Sequence, residues 1–393
     1  MKVFYQHGNG NSNVTRALDA QLKEMDISGR DILLKVNMVD PDITKACSNS
    51  SRMQGVVDVL RSNGAKSISI GDEPAHYFYE QNNGNIDITA CYQNLGYDLI
   101  QGAELIDLRN LKLDKYFARK ISPATGKWLT RLKEGVEKPH QITVPVRDVS
   151  DYLLVNMTMP KHHGNFNYSG VIKNLMGLVP NEERMRTFHF GFENAAFFWV
   201  YENKNIGKKK NEQKEMPTED EVKGKAEEFF QKFAGRYIQN QNSQSTQSFD
   251  LVDNVVKMFR DRQLGIDSTE AHFLHICNMG AIHDLYFHML EKQPDAVHIL
   301  DGTYVLSKQE HDGTPVQTDF AIVSQDPGLI DSSALHKIGI DREEVPYVNR
   351  TPYRGAAEVA GDIGPLMPNI SVLEKEVKKD SKGRRFAFVK IIN

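Results

Sequence analysis

Short apolar runs rich in valine and isoleucine alternate with amphipathic stretches along the first 157 residues, and this rhythm strongly constrains the fold. The runs of strand length cover residues 3–7, 31–37, 66–72, 103–108, 141–146 and 151–157. Residues 14–25 and 51–64 have helical periodicity, and the second stretch ends in a glycine suited to a helix C-cap. A strand, helix, strand order predicts an α/β fold with a mostly parallel sheet flanked by helices.

The length of 393 residues favours more than one structural unit. We expect an α/β domain over 1–200 that carries the main site loops, a helical insertion or connection over 201–292, and a second, smaller α/β unit over 293–393 that ends in an edge strand. The lysine-rich segment 203–233 is interpreted as a solvated insertion, with an anion-binding patch as the alternative.

The composition of the chain limits which classes of binding partner are expected. The chain is 40% hydrophobic and 25% charged, with a formal net charge of -4, so neither nucleic acid nor an anionic membrane is an expected partner. No apolar run has the length of a membrane span, and the first residues lack a signal-peptide core, so we expect a cytoplasmic protein. Cys47, Cys91 and Cys277 form no CxxC pair, which argues against an iron–sulfur cluster. The oligomeric state is not determined by these features, and a homo-oligomer is one option.

Polar clusters follow three of the predicted strands. They are KVNMVDP at 35–41, GDEPAHYF at 71–78 and PKHHGNFNYSG at 160–170. Ligands of α/β sheets bind beyond the carboxyl ends of the strands, where loops lead into helices. If the three strands are parallel, the three clusters face one crevice.

The third cluster has the richest chemistry. Ser169 is predicted to cap a helix that starts near Gly170, whose free N–H groups favour an anion. Lys173, one turn later, adds a positive charge or a nucleophilic amine. His162 and His163 carry imidazole groups, which suit proton transfer or metal ligation. The alternative is that one histidine is exposed, the other bonds the loop, and Lys173 is a surface charge.

The first two clusters supply further candidates. Lys35 and Asn37 lie at the end of an apolar strand, where a lysine needs either a protein partner or a ligand. Asp72, with Glu73, either binds a polar ligand or caps a turn. His76 is an acid/base candidate, although a lone loop histidine is more often structural.

Four histidines in the segment 272–288 invite a metal site. They are His272, His275, His283 and His288. Histidines three residues apart share a helix face, so two or three ligands could converge. The segment has no HExxH-like carboxylate pattern, and we prefer helix packing.

Several of these stretches together resemble one family, the DUF362 domain proteins. The family's segment of the type LPKLKTH…TG…KNLMG…P, with a following RRFH-like element, is similar to residues 159–189. Its KPN element is similar to KVN at 35–37, and its GDSP turn is similar to GDEP at 71–74. Its late VDG and TDPVALD…EEIPYL elements resemble LDGTYVL at 300–306 and residues 324–348. Many members carry a ferredoxin-type cysteine segment that this chain lacks, and the family's activity is largely unassigned.

A more distant resemblance is to the N-terminal domain of nickel-pincer lactate racemases. Those enzymes show a histidine, nine residues, a lysine, fifteen residues and a histidine, and His163, Lys173 and His189 have the same spacing. The resemblance implies that His163 is an acid/base, that Lys173 tethers the cofactor and that His189 ligates the metal. It also implies a second acid/base at His76. Gly170, Val171 and Ile172 replace the two glycines and arginine of those enzymes.

These observations lead to two functional hypotheses. In the first, the protein is an enzyme that acts on a small carboxylate or other anionic substrate. His76 and His163 exchange protons, and the segment from Ser169 to Lys173 binds an anionic group together with Lys35, Asn37 and Asp72. His189 holds a metal or cofactor, for which a divalent ion is one option. In the second, the protein is a non-catalytic ligand- or metal-binding accessory protein.

Overall fold

A computed structural model describes residues 3–8, 12–75, 84–119, 141–163, 167–184, 282–307, 313–338, 345–349, 370–379 and 385–391, with isolated residues at 78–82, 188–228 and 340. The strands are β1 (Phe4–His7), β2 (Asp31–Lys35), β3 (Ser67–Gly71), β4 (Glu104–Leu105), β5 (Leu113–Arg119), β6 (Gln141–Arg147), β7 (Leu153–Thr158), β8 (Lys161–His163), β9 (Asn167–Ser169), β10 (Val297–Ser307), β11 (Thr314–Ser324), β12 (Ile370–Lys379) and β13 (Arg385–Ile391).

The helices are α1 (Ser12–Leu22), α2 (Ser50–Ser62), α3 (Ile88–Asn94), α4 (Val171–Asn174), α5 (Asn181–Arg184), α6 (282–292), α7 (Pro327–Ile338) and α8 (Pro346–Asn349). Short 3-10 turns lie at Thr44–Ala46, Tyr97–Leu99, Leu108–Asn110 and Leu175–Leu178. The predicted helices correspond to α1 and α2, and Gly64, with a φ of 88°, follows the end of α2 as expected for a C-terminal glycine.

One large mixed sheet contains eleven of the strands. Its order is β13, β12, β1, β11, β10, β7, β2, β3, β4, and β8 pairs with β10 and β9 beside this path. The strands from β10 to β4 run parallel to their neighbours, whereas those from β13 to β10 are antiparallel. Strands β5 and β6 form a separate pair. The predicted α/β class is confirmed.

The expectation of a mostly parallel sheet is wrong for the first and last strands. Strand β1 pairs with β11 and β12, both antiparallel, instead of joining β2. Apolar periodicity identifies a strand but does not specify its neighbour, and β11 lies about 300 residues further along the chain. The predicted edge strand near the end of the sequence is confirmed as β13, which ends the sheet order.

Alternate strand residues form the core on one face of the large sheet. Ile32 and Leu34 of β2, with Val155 of β7 and Ile299 of β10, pack against apolar side chains of α1, α2 and α3. On the other side of the same strands, α4 and α7 contact β10, with α4 also against β7 and α7 against β11. Strands β7 and β10 are therefore covered by helices on both faces, as buried parallel strands require.

The chain divides into two compact units, residues 1–114, 146–181 and 286–393 in one, and residues 115–145 and 182–285 in the other. This differs from the expected boundaries at 200 and 292, because β10 and β11 supply the middle of the large sheet. Residues 229–281 lie outside the described part of the chain. Every helix in the described part is too short or too polar to cross a lipid bilayer.

Candidate functional site

The three polar clusters predicted from the sequence meet at the carboxyl edge of the parallel strands. Lys35, the last residue of β2, places Nζ 2.9 Å from Oδ1 of Asp72, which follows β3. Lys161, which begins β8 shortly after β7, donates from Nζ to Oδ1 of Asn37 at 2.9 Å. The predicted convergence is confirmed, because β2, β3 and β7 run parallel as neighbours.

Lys35 and Asp72 form a buried ion pair. Their side chains are 0% and 5% exposed, and Lys35 Nζ also donates to the carbonyl oxygen of Val36 at 3.0 Å. The second carboxylate oxygen accepts from the N–H of Met38 at 2.7 Å. Gly177 closes over the pair, since a Cβ there would lie 2.5 Å from both Lys35 Nζ and Asp72 Oδ1. Of the two alternatives for Lys35, the structure shows the protein partner, and a ligand role for either residue stays a prediction.

A row of polar side chains crosses the sheet beside this pair. Lys35 of β2 is in register with Asn156 of β7, which is in register with His298 of β10. All three are buried and alternate with the apolar residues of the core, so they share the face that α4 covers. Burial lowers the pKa of His298 from 6.5 to about 3, so its imidazole is neutral at physiological pH.

Four hydrogen bonds connect this row to Lys161 and run in one direction. Lys161 Nζ donates to Asn37 Oδ1, and Asn37 Nδ2 donates to Asn174 Oδ1 at 2.9 Å. Asn174 Nδ2 donates to Asn156 Oδ1 at 2.8 Å, and Asn156 Nδ2 lies 3.0 Å from His298 Nδ1. Because an amide nitrogen only donates, His298 Nδ1 is the acceptor and its proton is on Nε2. A cation at the start of such a chain polarises each following bond.

The polar segment 160–170 contains two short strands. Strands β8 and β9 form an antiparallel hairpin in which His162 pairs with Tyr168 and Lys161 with Ser169. Lys161 also pairs with Leu306, so β10 provides an edge on which β8 forms. Lys161 and His163 are 0% and 5% exposed, and as alternate strand residues they lie on one face, with the half-buried His162 on the other.

The predicted helix start is present but has a different cap. Helix α4 begins at Val171, its N-cap is Gly170, and Ser169 does not cap it. The N–H groups of Val171 and Ile172 donate to Oδ1 and Oδ2 of Asp331, both at 2.9 Å. The expected external anion is therefore replaced at these two amides by a carboxylate of the protein itself. The binding role of Ser169, which is buried at the end of β9, stays a prediction.

The remaining candidates divide between the described and the undescribed parts of the chain. Lys173 lies in α4 with a largely buried side chain. His76 and His189 lie outside the described residues, so their roles remain predictions. Within the described part, no three His, Cys, Asp or Glu side chains converge as a metal site would require.

Of the four histidines at 272–288, only His283 and His288 are described, and both lie in α6. Burial lowers the pKa of His288. The two are five positions apart on the helix, so they do not share a face. His272 and His275 lie outside the described residues, so the preference for helix packing over a metal site stays a prediction.

We call the buried polar side chains at the carboxyl edge of the parallel strands, together with Asp331, the cluster. Several of its residues were not predicted from the sequence. They are Asn156, Lys161, Asn174, His298 and Asp331. Asn156 and His298 did give a signal, since each is a polar residue inside an apolar strand, where burial requires a partner. Asp331 gave none, because its partners lie about 160 residues earlier in the chain.

Comparison with known proteins identifies the family. The family model described as "Domain of unknown function (DUF362)" matches residues 32–336, more than three quarters of the chain. This range begins in β2 and ends in α7, so it contains every described residue of the cluster. No curated protein and no solved structure matches this sequence. The chain belongs to the DUF362 domain family.

Proposed function

We propose that the protein is an enzyme that acts on a small carboxylate or a comparable small anion by histidine acid/base chemistry. The substrate binds beside the carboxyl ends of β2, β7 and the hairpin β8–β9. His163 is the proposed proton donor and acceptor within the described part of the chain. Lys173 and Lys161 supply the positive potential that draws an anion to this edge, and Lys35, whose charge is balanced by Asp72, is a further proposed binding residue.

The observation that carries this proposal is the arrangement of β8. Lys161 and His163 lie on the same face of that strand, both buried, and Lys161 is held at the end of β2 by its 2.9 Å bond to Asn37. A fixed ammonium group near an imidazole in a buried setting offers charge stabilisation and proton transfer together. Histidine suits this role because its ordinary pKa lies close to neutral pH.

The proposal extends to residues outside the described part. His76 is the proposed second acid/base, since it follows β3 by a few residues and β3 ends at the same edge. His189 is the proposed ligand of a metal or cofactor. Asn37, Asp72 and Ser169 complete the proposed binding residues.

The cofactor implied by the racemase resemblance fits this chain poorly at one place. The two backbone N–H groups at the start of α4 are the natural donors for a nucleotide phosphate, but Asp331 already accepts from both. We therefore derive no step through such a cofactor. A divalent metal at His189 is a separate proposal.

Solvent isotope exchange tests the enzymatic proposal. The protein as purified is incubated in deuterium oxide with L-lactate, L-malate and pyruvate, and deuterium incorporation at carbon is followed by proton NMR. Exchange of at least one acid, lost in His163→Gln and Lys173→Met, is the expected result. His162→Gln is the matched control, because its side chain lies on the opposite face of β8. Unchanged exchange in both site variants contradicts the proposal.

A second candidate is a non-catalytic protein that binds an anionic ligand or metal. The observation that favours it is the mutual pairing of Lys35, Asp72, Asn37 and Lys161, which builds a rigid polar edge without requiring proton transfer. Native mass spectrometry and elemental analysis of freshly purified protein separate the two candidates. A bound anion or metal together with no isotope exchange favours the second.

We also infer a cytoplasmic protein, from the lack of a signal-peptide core and of an apolar run of membrane-span length. The proposed partner is a small anionic molecule and not nucleic acid, since the net charge of -4 offers no general attraction to polyanions. A homo-oligomer is included in this proposal. Size-exclusion chromatography with light scattering determines the oligomeric state.

A further inference from the structure

The strongest unassigned feature near the proposed site is the carboxylate of Asp331. It lies in the second turn of α7, is completely buried, and accepts three hydrogen bonds. Two come from the N–H groups of Val171 and Ile172 at 2.9 Å, and the third comes from the hydroxyl of Tyr168 at 3.0 Å. One side chain thus bonds the end of β9 and the start of α4.

The glycine before α4 makes this approach feasible. A Cβ at Gly170 would collide with Asp331 Oδ1 and with the hydroxyl of Tyr168. A second contact holds the same strand, because the hydroxyl of Tyr347 in α8 donates to the carbonyl oxygen of Tyr168 at 2.7 Å. The C-terminal helices α7 and α8 therefore hold residues 168–172 from one side.

The same segment is anchored from the other side by the sheet. Asn174 bonds Asn37 and Asn156, and Gly177 closes over Lys35 and Asp72. At the start of α4 the two anchors hold different groups: Asp331 accepts from the N–H groups of Val171 and Ile172, whereas Asn156 of the sheet donates to the carbonyl oxygen of Val171. A four-residue helix has no stability of its own, so its position is set by such contacts.

We propose that Asp331 is a positioning residue that fixes the backbone of residues 168–172 and so places Lys173 and the hairpin β8–β9 for the ligand. This inference rests on the proposed function for the identity of the ligand site. Burial raises the pKa of Asp331 to about 7, and the groups that face it are Tyr168, Tyr286 and the two backbone amides. These three contacts favour the carboxylate form of Asp331, because in each of them Asp331 is the acceptor.

Hydrogen exchange and ligand affinity together test this role. Full-length wild-type protein is compared with Asp331→Asn, which keeps the shape, and Tyr168→Phe, which removes one donor and leaves the backbone bonds. Ser333→Ala is the matched control, because Ser333 is also buried in α7 but bonds only within that helix. Exchange of the amides at 171 and 172 is measured with the amides of β7 and β10 as internal references, and malonate is the probe for affinity.

We expect the amides at 171 and 172 of Asp331→Asn to exchange at least about tenfold faster, with the references unchanged, since a charge-assisted bond is lost. The dissociation constant for malonate should rise about fivefold or more, in step with this local change. Tyr168→Phe should show a smaller effect in the same direction, and Ser333→Ala none. If the affinity for malonate falls while the amides of β7 and β10 keep their protection, Asp331 positions the segment. General destabilisation would instead lower protection in the sheet as well.

Three results overturn the role of Asp331. They are unchanged exchange at 171 and 172, loss of protection throughout the sheet in both Asp331→Asn and Tyr168→Phe, or faster local exchange with unchanged malonate affinity. If wild-type protein binds no malonate and none of the acids used for isotope exchange, the proposed function fails. In that case the exchange data alone decide whether Asp331 fixes this segment.

Discussion

The ammonium group of Lys35 lies 2.9 Å from the carboxylate of Asp72, and both groups are buried at the ends of neighbouring parallel strands. Each group alone would be costly to bury, so the pair is stable only as a unit. Asp72 also accepts from the N–H of Met38, which ties the loop after β2 to the loop after β3. The pair therefore fixes the two loops that the sequence had suggested as parts of one crevice.

Replacing Lys35 by methionine should strongly destabilise the protein. The substitution keeps the apolar part of the side chain but leaves Asp72 as an uncompensated buried charge. We expect a loss of about 3–5 kcal/mol in the free energy of unfolding, measured by urea denaturation at neutral pH. Lys66→Met is the control, because Lys66, which directly precedes β3, forms an exposed ion pair with Asp31 of β2 that should contribute at most about 1 kcal/mol. Equal effects of the two substitutions would contradict this account.

Replacing Gly177 by alanine tests the packing over this pair. The added Cβ would lie 2.5 Å from Lys35 Nζ and Asp72 Oδ1, so the 3-10 turn at Leu175–Leu178 has to shift. We expect a cost of about 1–3 kcal/mol in unfolding free energy, as for other overpacked interiors.

Gly224→Ala is the comparison for Gly177, since the space around Gly224 is open. Residues 220–225 are helical, so alanine at position 224 should be neutral or stabilising by up to about 1 kcal/mol. Gly177→Ala with wild-type stability would show that the turn moves without cost.

The sequence predicted the secondary structure and the meeting of the three clusters well, because both follow from local patterns. Apolar periodicity identified β2, β3 and β7, and the rule for parallel strands brought their polar ends together. The opposite direction of β1 and the central place of β10 could not be predicted in this way. They depend on pairings between residues far apart in the chain, as between Phe4 and Val323.

The cluster itself was predicted only in part for the same reason. Lys35 and Asp72 stood out as charged residues beside apolar strands, but nothing local indicated that each is the partner of the other. The helix start after Gly170 looked like an anion site, and the anion turned out to be Asp331 from the C-terminal part of the chain. A motif predicts what a helix start needs, whereas the fold decides which group supplies it.

Replacing Asn174 by alanine should interrupt the chain of hydrogen bonds between Lys161 and His298. Asn174 accepts from Asn37 and donates to Asn156 and to the carbonyl oxygens of Val36 and Met157. Its loss leaves buried polar atoms without partners, at about 1–3 kcal/mol for each group that cannot find another.

The matched control for Asn174 is Asn94→Ala. Asn94 also donates through its amide, to the carbonyl oxygen of Pro41 and to Asp42, but at a more exposed position. Urea denaturation should show a cost of about 1 kcal/mol or less for Asn94 and clearly more for Asn174. Similar values for the two would indicate that water or rearranged side chains replace the network.

His298 should make the stability of the protein depend on pH. Burial lowers its pKa to about 3 in the folded protein, whereas the unfolded chain takes up a proton below about pH 6.5. Between these values the unfolded state binds more protons. The contribution of His298 is therefore complete above pH 6.5 and is lost as the pH falls, by about 1.4 kcal/mol per pH unit.

Asp331 acts in the opposite direction over an overlapping range. The pKa of Asp331 is raised to about 7 in the folded protein. Between the ordinary carboxyl pKa and pH 7 the folded state therefore binds more protons than the unfolded state. The contribution of Asp331 to the unfolding free energy is thus lost as the pH rises towards 7. The unfolding free energy of wild type alone therefore combines pH dependences of opposite sign, and Asp326, whose pKa burial raises to about 6, adds to that of Asp331. The informative quantity is the difference between wild type and His298→Asn, in which the asparagine oxygen can still accept from Asn156.

The stability advantage of wild type over His298→Asn should shrink from pH 6.5 to pH 4.5 by about 1.4 kcal/mol per unit, as measured by urea denaturation in buffers of constant ionic strength. Ser333→Ala has no titrating group and should differ from wild type by a constant amount over the same range. If the difference in unfolding free energy between wild type and His298→Asn is also constant from about pH 6.5 to pH 4.5, the imidazole is protonated in the folded protein over this range. The direction of the bonds from Lys161 to His298 would then have to be reversed at its last step, because a protonated ring cannot accept from Asn156.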